Sequence, residues 1–363
     1  MKQLFFASIL MAAAASAAAA DETPIVYHDL TEGYPVLGTL APDATEVFTR
    51  LPDSLQSVVR KELWDLGLNS AGLSVRFRSD SPSLRARWHS RNKFAMNHMT
   101  PTGIRGLDLY VLMPDSTWTT VCSARPSMAS ATSTSTLVTD MEPGVMREYM
   151  LFLSLYDGVD SLAMGIDSAC VIIPPAVDLP RRGRPVVMYG TSILQGGCAT
   201  RPGMAHTNIL QRLLQREVVN LGFSGNARLD PELARLMAQA DAACYVIDPL
   251  PNCTAQQVAE RMPEFIRILR AAHPTTPIIL VESPMFPISR FNTEVNQTLT
   301  EKNRVLRSYY DDNLASDPNV VYFPASEIMG NPEDTVDNYH FTDAGFDYFA
   351  SKLLPIIQNL IGE

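Results

Sequence analysis

Between residues 73 and 167 apolar and polar side chains alternate in short runs. LSVRFRS sets Leu73, Val75 and Phe77 on one face, and LRARWHS does the same with Leu84, Ala86 and Trp88. LDLYVLM, WTTVCS, EYMLFLSLYDG and SLAMGID continue the series, joined by turn-rich links such as SDSPS, MPDST and YDGVD. A period of two buries one face of a strand and wets the other. Many such strands at turn spacing predict an antiparallel β-sandwich over residues 24–178. DSLQSVVRKELWDL, residues 53–66, interrupts the series with apolar residues at helical spacing, which predicts a helix.

PPAVDLPRRGRP, residues 174–185, reads as a linker, and the pattern changes after it. VVMYG, VVNLGF, ACYVIDPL, PIILVES and VVYF are unbroken apolar runs. Amphipathic stretches alternate with them: TNILQRLLQRE, DPELARLMAQA behind an Asp cap, TAQQVAERMPEFIRILRAAH behind a Thr cap, TEVNQTLTEKNRVLRSYYDDNLA and GFDYFASKLLPIIQNLI. Unbroken apolar strands separated by helices predict a five-stranded parallel sheet covered on both faces over residues 179–363. In such an α/β sheet the ligand site lies at the carboxyl ends of the strands.

The length of 363 residues and 46% hydrophobic content suit two such domains. The 29 basic and 39 acidic residues leave a net charge of −10, and no basic stripe offsets it, which excludes a nucleic-acid partner. The beginning of the chain predicts export: Lys2 is a positive start, Leu4 to Ala15 an apolar core, and small residues lead to a cut after Ala20. Residues 1–20 are thus expected to be a signal peptide. No later run is apolar enough to span a bilayer, so the mature chain is expected in the periplasm or outside the cell. The five cysteines are an odd set without CxxC or zinc spacing; they read as small buried side chains, with one bridged pair left open.

GTSILQGGC, residues 190–198, places Ser192 just past the end of the first parallel strand. That position suits a nucleophile, although a serine there also suits a helix N-cap. NLGFSGN ends the second strand, and Gly225 there either lets a backbone N–H approach a substrate or simply turns the chain. DPLPN ends the third strand with Asn252, either an amide donor or a turn residue. DNYHF brings Asp337 and His340 three residues apart, either a base with its orienting carboxylate or a surface turn. Together these residues make the parts needed for acyl transfer through a serine ester.

In that order the four stretches resemble an SGNH (GDSL-type) hydrolase from about residue 184 to the end. IRGLDLYV, residues 104–111, resembles the GxDLY signature of a β-domain that precedes one subfamily of GDSL-like lipases and acylhydrolases. The resemblance implies a flavodoxin-like three-layer hydrolase domain behind a jelly-roll-like sandwich. It implies Ser192, His340 and Asp337 as the triad, and Ser192, Gly225 and Asn252 as the oxyanion hole. The chain departs from the family at two acids: Thr191 replaces Asp in Gly-Asp-Ser, and Cys253 replaces Asp after Asn252. Fixed dipoles stabilise the charge in such a reaction, so neither a metal nor an organic cofactor is expected.

The substrate expected is an acyl ester, in particular an acetylated sugar or polysaccharide, with Trp88, Trp118 or Tyr110 either stacking on the sugar or packing in the β-core. An acyltransferase using the same serine and a catalytically inactive carbohydrate-binding protein are the rival readings. His98, His206, Arg201, Asn208, Asp248 and Glu282 are further candidates, as pocket neighbours or as structural braces.

Overall fold

The computed structural model describes residues 24–42 and 44–362. The expected signal peptide, residues 1–20, lies outside the described residues. The first half builds two antiparallel sheets. One orders its strands Ile25–Asp29, Val159–Asp167, Leu84–Ser90 and Thr132–Val138. The other orders Ile172–Ile173, Ser74–Ser79, Arg147–Phe152, Leu107–Leu112 and Trp118–Ala124, with Val36–Leu37 beside Ser74–Ser79. Val75 and Phe77 from one sheet meet Leu84, Ala86 and Trp88 from the other in one core, the faces that alternation marks.

The stretch 53–66 is not one helix. A 3-10 turn, Asp53–Leu55, and a helix, Lys61–Gly67, are separated by Ser57, Val58 and Val59, which are weak helix formers. Arg60 at the break is extended, and its guanidinium reaches the second half of the chain, pairing with Asp230 at 2.9 Å and donating to Asn226 Oδ1 at 2.7 Å.

The second half is a parallel sheet of β1 (Arg181–Gly190), β2 (Arg216–Gly222), β3 (Cys244–Asp248), β4 (Ile278–Val281) and β5 (Val320–Phe323), in the order β2-β1-β3-β4-β5. After β1 comes a one-turn helix, α1 (Ser192–Gln195). The longer helices are α2 (His206–Leu214), α3 (Pro231–Met237), α4 (Ala255–Ala272), α5 (Thr293–Asn313) and α6 (Asp343–Ile361). Val186 and Met188 of β1 pack with α2 and α6 on one face; Val187 and Tyr189 pack with α3, α4 and α5 on the other. Burial on both faces is why these strands read as unbroken apolar runs. The order reverses between β1 and β3, so the crevice for a ligand opens at their carboxyl ends.

Three local expectations shift. β1 begins at Arg181, inside the stretch read as a linker. α2 stops at Leu214, Gln215 turns left-handed at φ 47°, and Arg216 and Glu217 enter β2. Asp230 precedes α3 without capping it, because its carboxylate is engaged by Arg60. All five cysteines are free thiols. Among the described residues no helix is long and apolar enough to cross a membrane.

The two halves are bound closely. Arg50, fully buried, donates to Asn69 O and Leu66 O in its own half and to Asn220 O and Gly222 O at the end of β2. Gln195 donates to Leu155 O, and Tyr156 donates its hydroxyl proton to Ser192 O. The sandwich therefore touches the carboxyl end of the parallel sheet, where the candidate chemistry lies.

Candidate active site

Ser192 is the first residue of α1, presented directly beyond β1. Thr191 is buried and its hydroxyl accepts from Ile193 N–H at 3.3 Å, so it caps the short helix that carries the serine. Asn220 on β2 donates to Leu194 O at 2.7 Å and to Thr207 Oγ1 at 2.9 Å, tying α1 to the sheet. Gly222 is needed where β2 ends: a Cβ there would lie 2.2 Å from Gln195 N.

The loop before α6 brings the other two residues. Asp337 Oδ1 accepts from the backbone N–H groups of Tyr339 and His340 at 3.1 and 2.8 Å, which closes a tight turn around Asn338 at φ 70°. Its Oδ2 pairs with His340 Nδ1 at 2.8 Å, and His340 Nε2 lies 2.9 Å from Ser192 Oγ. A carboxylate only accepts, so Nδ1 carries the imidazole proton and Nε2 turns its lone pair to the serine O–H. Partial burial would raise the Asp337 carboxyl, but the hydrogen bonds from His340 and Tyr339 outweigh it and hold the group below the ordinary carboxylate value.

Ser192 and His340 open into a cavity of about 610 Å³ that Gly225 and Asn252 also line. Gly225 is left-handed at φ 68°, a conformation that favours glycine. Asn252 Oδ1 accepts from Ala227 N–H at 3.3 Å, which fixes the amide so that Nδ2 is its free end. Among the described residues the N–H groups of Ser192 and Gly225 and the Asn252 Nδ2 have no protein acceptor. Three unspent donors beside a hydrogen-bonded Ser-His-Asp chain can receive a negative oxygen.

The remaining candidates fall outside this group. His206 is fully buried between Phe346 and Phe349, and burial pushes its imidazole down to about 3, so it is a neutral core residue. Arg201 donates to Asp108 Oδ2 and Tyr110 Oη, and Asn208 donates to Pro202 O at 2.8 Å; both brace the loop after α1. Glu282 accepts from Tyr322 Oη and from Ala325 N–H, holding the end of β5. Asp248 is buried at the end of β3, and burial pushes its carboxyl well up. His98 stands beside His340, ring centres 5.7 Å apart. Trp88, Trp118 and Tyr110 are buried in the β-domain, and none of them lines the cavity.

The cavity also has a wall from α5 that the sequence reading missed. Val295, Thr298, Leu299 and Lys302 line it at helical spacing. Such a stripe reads as core packing; its ending in a lysine is the signal that marks it out. Lys302 Nζ donates to Leu250 O at 3.0 Å, so it holds the turn that carries Asn252. Phe286 and Tyr339 close the cavity, ring edge to ring face at 5.1 Å.

Residues 183–358 match the GDSL-like lipase/acylhydrolase family, and residues 25–172 match the GxDLY domain, the N-terminus of SGNH-hydrolase-type esterases. A protein from Bacteroides ovatus described as a GDSL-like lipase is 29% identical, with 93% of this chain and 98% of that one covered and a TM-score of 0.87. The salicylyl-acyltransferase SsfX3 of a tetracycline biosynthetic pathway is 17% identical over 93% and 97%, with a TM-score of 0.70. A family two carbohydrate esterase from Cellvibrio japonicus is 16% identical over 93% and 98%, with a TM-score of 0.60. These last two share the fold. No curated protein matches the chain.

Proposed function

From the premise that this chain belongs to the GDSL-like lipase/acylhydrolase family through residues 183–358, with the GxDLY domain before it, we propose that it is a serine esterase. The observation that carries the reading is His340, hydrogen-bonded at one nitrogen to Asp337 and at the other to Ser192 Oγ. Ser192 Oγ attacks an ester carbonyl while His340 Nε2 takes its proton. Asp337 keeps the tautomer and stabilises the imidazolium. The carbonyl oxygen, now an oxyanion, accepts from Ser192 N–H, Gly225 N–H and Asn252 Nδ2. His340 returns its proton to the leaving alcohol, and water cleaves the acyl-serine by the same steps in reverse.

The substrate assigned is an acetylated sugar or polysaccharide. The cavity supports it by combining polar groups of Ser224, Asn252 and Thr298 with the rings of Phe286 and Tyr339, a match for a hydroxyl-bearing ring. Fold neighbours described as carbohydrate esterases point the same way. The apolar core and small residues of the first twenty positions support export. The test is acetate release from p-nitrophenyl acetate and from acetylated xylan by the wild type and by Ser192→Ala. Both substrates should be cleaved, and the variant should lose on the order of 10⁴-fold or more in turnover. Undiminished turnover in Ser192→Ala would sink the mechanism. Cleavage of the small ester alone would remove the polysaccharide, and release that depends on an added alcohol would make the enzyme a transferase.

A further inference from the structure

Two side chains beside Asp337 and His340, those of His98 and Cys198, have no part in ester cleavage. His98 comes from the β-domain and Cys198 from the loop after α1. With Asp337 and His340 they present one ligand atom each, all within 4.8 Å of one another. We propose that this group is an inhibitory site for a zinc-class cation, which switches the enzyme off by taking His340 from Ser192.

The donor set selects the ion. Two imidazoles, a thiol and a carboxylate suit zinc or cobalt, whereas magnesium and calcium require oxygen ligands. Bonds of about 2.0–2.3 Å in a tetrahedron set ligand atoms roughly 3.3–3.8 Å apart, so the four groups need to close by about 1 Å. His98 is already oriented: its Nδ1 lies 3.0 Å from Asn97 Oδ1, which only accepts, so Nε2 carries the free lone pair. Cys198 is held in place by its backbone at φ 72° and by its Sγ–H, which donates to His98 O at 3.3 Å. Zinc and cobalt bind the thiolate, so the ion enters by displacing the thiol proton to solvent. Either nitrogen of His340 serves the inhibition. At Nε2 the ion takes the lone pair that accepts the Ser192 proton. At Nδ1 it displaces the proton that bonds to Asp337, the ring then carries its proton on Nε2, and the lone pair facing Ser192 is lost.

The inhibition rests on the esterase reading, but binding does not. Co²⁺ is titrated into the purified chain and read by its visible bands and its thiolate charge-transfer absorption. In parallel, Zn²⁺ is titrated into p-nitrophenyl acetate turnover. We expect one Co²⁺ per chain with the thiolate band, displaced by Zn²⁺, and turnover that falls as zinc fills the site and returns with a chelator. Mg²⁺ should do neither. Cys198→Ser should lose the thiolate band. His98→Ala, at a half-buried position outside the triad, should keep its chelator-treated turnover and need at least about tenfold more zinc for half-inhibition. A Co²⁺ complex without the thiolate band, or equal zinc sensitivity in wild type and His98→Ala, overturns the site. If the chain cleaves no ester at all, the esterase reading falls, and the thiolate band alone decides the metal site.

Discussion

The proton on His340 Nδ1 decides which nitrogen faces Ser192, and Asp337 decides where that proton sits. Asp337→Asn replaces an acceptor with a group that also donates, so the ring can settle with its proton toward the serine. Turnover of p-nitrophenyl acetate should then fall about 10⁴-fold while the fold is kept; a loss under tenfold would mean that the carboxylate does not set the tautomer. Asn252 is the second residue on which the proposed mechanism turns. Its Oδ1 is bound to Ala227 N–H, so the amide already points its donor end into the cavity before substrate arrives. Asn252→Ala should lower turnover by about 10²–10³ with little change in KM, because the bond forms to the oxyanion and not to the ester. Steady-state kinetics on the small ester measures both. The two acids that the family usually carries are absent here without a vacancy: Thr191 caps α1, and Cys253 is buried with its Sγ 3.4 Å from Ala227 O.

At the scale of elements, the GxDLY stretch acquires a role that spacing alone does not reveal. Asp108 and Tyr110 both receive Arg201 Nη1, and Asp108 also accepts from Gly203 N–H at 2.9 Å. The signature thus grips the loop that runs from Gly197 under His340 to α2. Burial would lower the Arg201 guanidinium, but Asp108 and Tyr110 outweigh it and hold it firmly protonated. Arg201→Ala leaves the Asp108 carboxylate buried beside a missing partner, which should cost about 3–5 kcal/mol in denaturant unfolding. Adding Asp108→Asn to it should cost much less than the two single changes combined. The strands and long helices of both halves were legible because burial on one or two faces writes its period into the sequence. Ser192 stood out as a serine just past a strand end, and Asp337 and His340 as a pair three residues apart before the last helix; the fold brings the three within hydrogen-bond reach of one another. What was not legible depends on partners distant in the chain. Arg60 takes Asp230 away from its cap, and Trp88 spends its indole N–H on Arg105 O inside the core; the break at Ser57 to Val59 is instead local, where weak helix formers interrupt a spacing that looked continuous.

At the scale of the whole molecule, the domains share buried polar groups, so folding and catalysis depend on one junction. Arg50 binds carbonyls on both sides of it, ending at Gly222, three residues before Gly225, the proposed oxyanion donor. Glu217, at the start of β2, accepts from Gly38 N–H at 2.7 Å across the same junction. Burial pushes its carboxyl up to about 7 from an ordinary 4.5, against the smaller pull of the Gly38 N–H and of Arg182. An acid whose folded value is raised binds its proton more tightly in the folded chain. Its contribution to stability is therefore complete below about 4.5, declines above it, and is lost as the pH rises through about 7. The full swing is on the order of 3 kcal/mol. Glu217→Gln keeps an acceptor for Gly38 and removes the charge. Denaturant midpoints measured from pH 4 to pH 9 should fall across this window in the wild type and stay flatter in the variant, so that the variant is the more stable of the two at pH 8. A parallel fall in both would assign the loss to other groups. Because the junction holds the strand end that carries Gly225, the ratio of wild-type to Glu217→Gln turnover should fall as the pH rises through about 7, the need for a free His340 Nε2 being common to both.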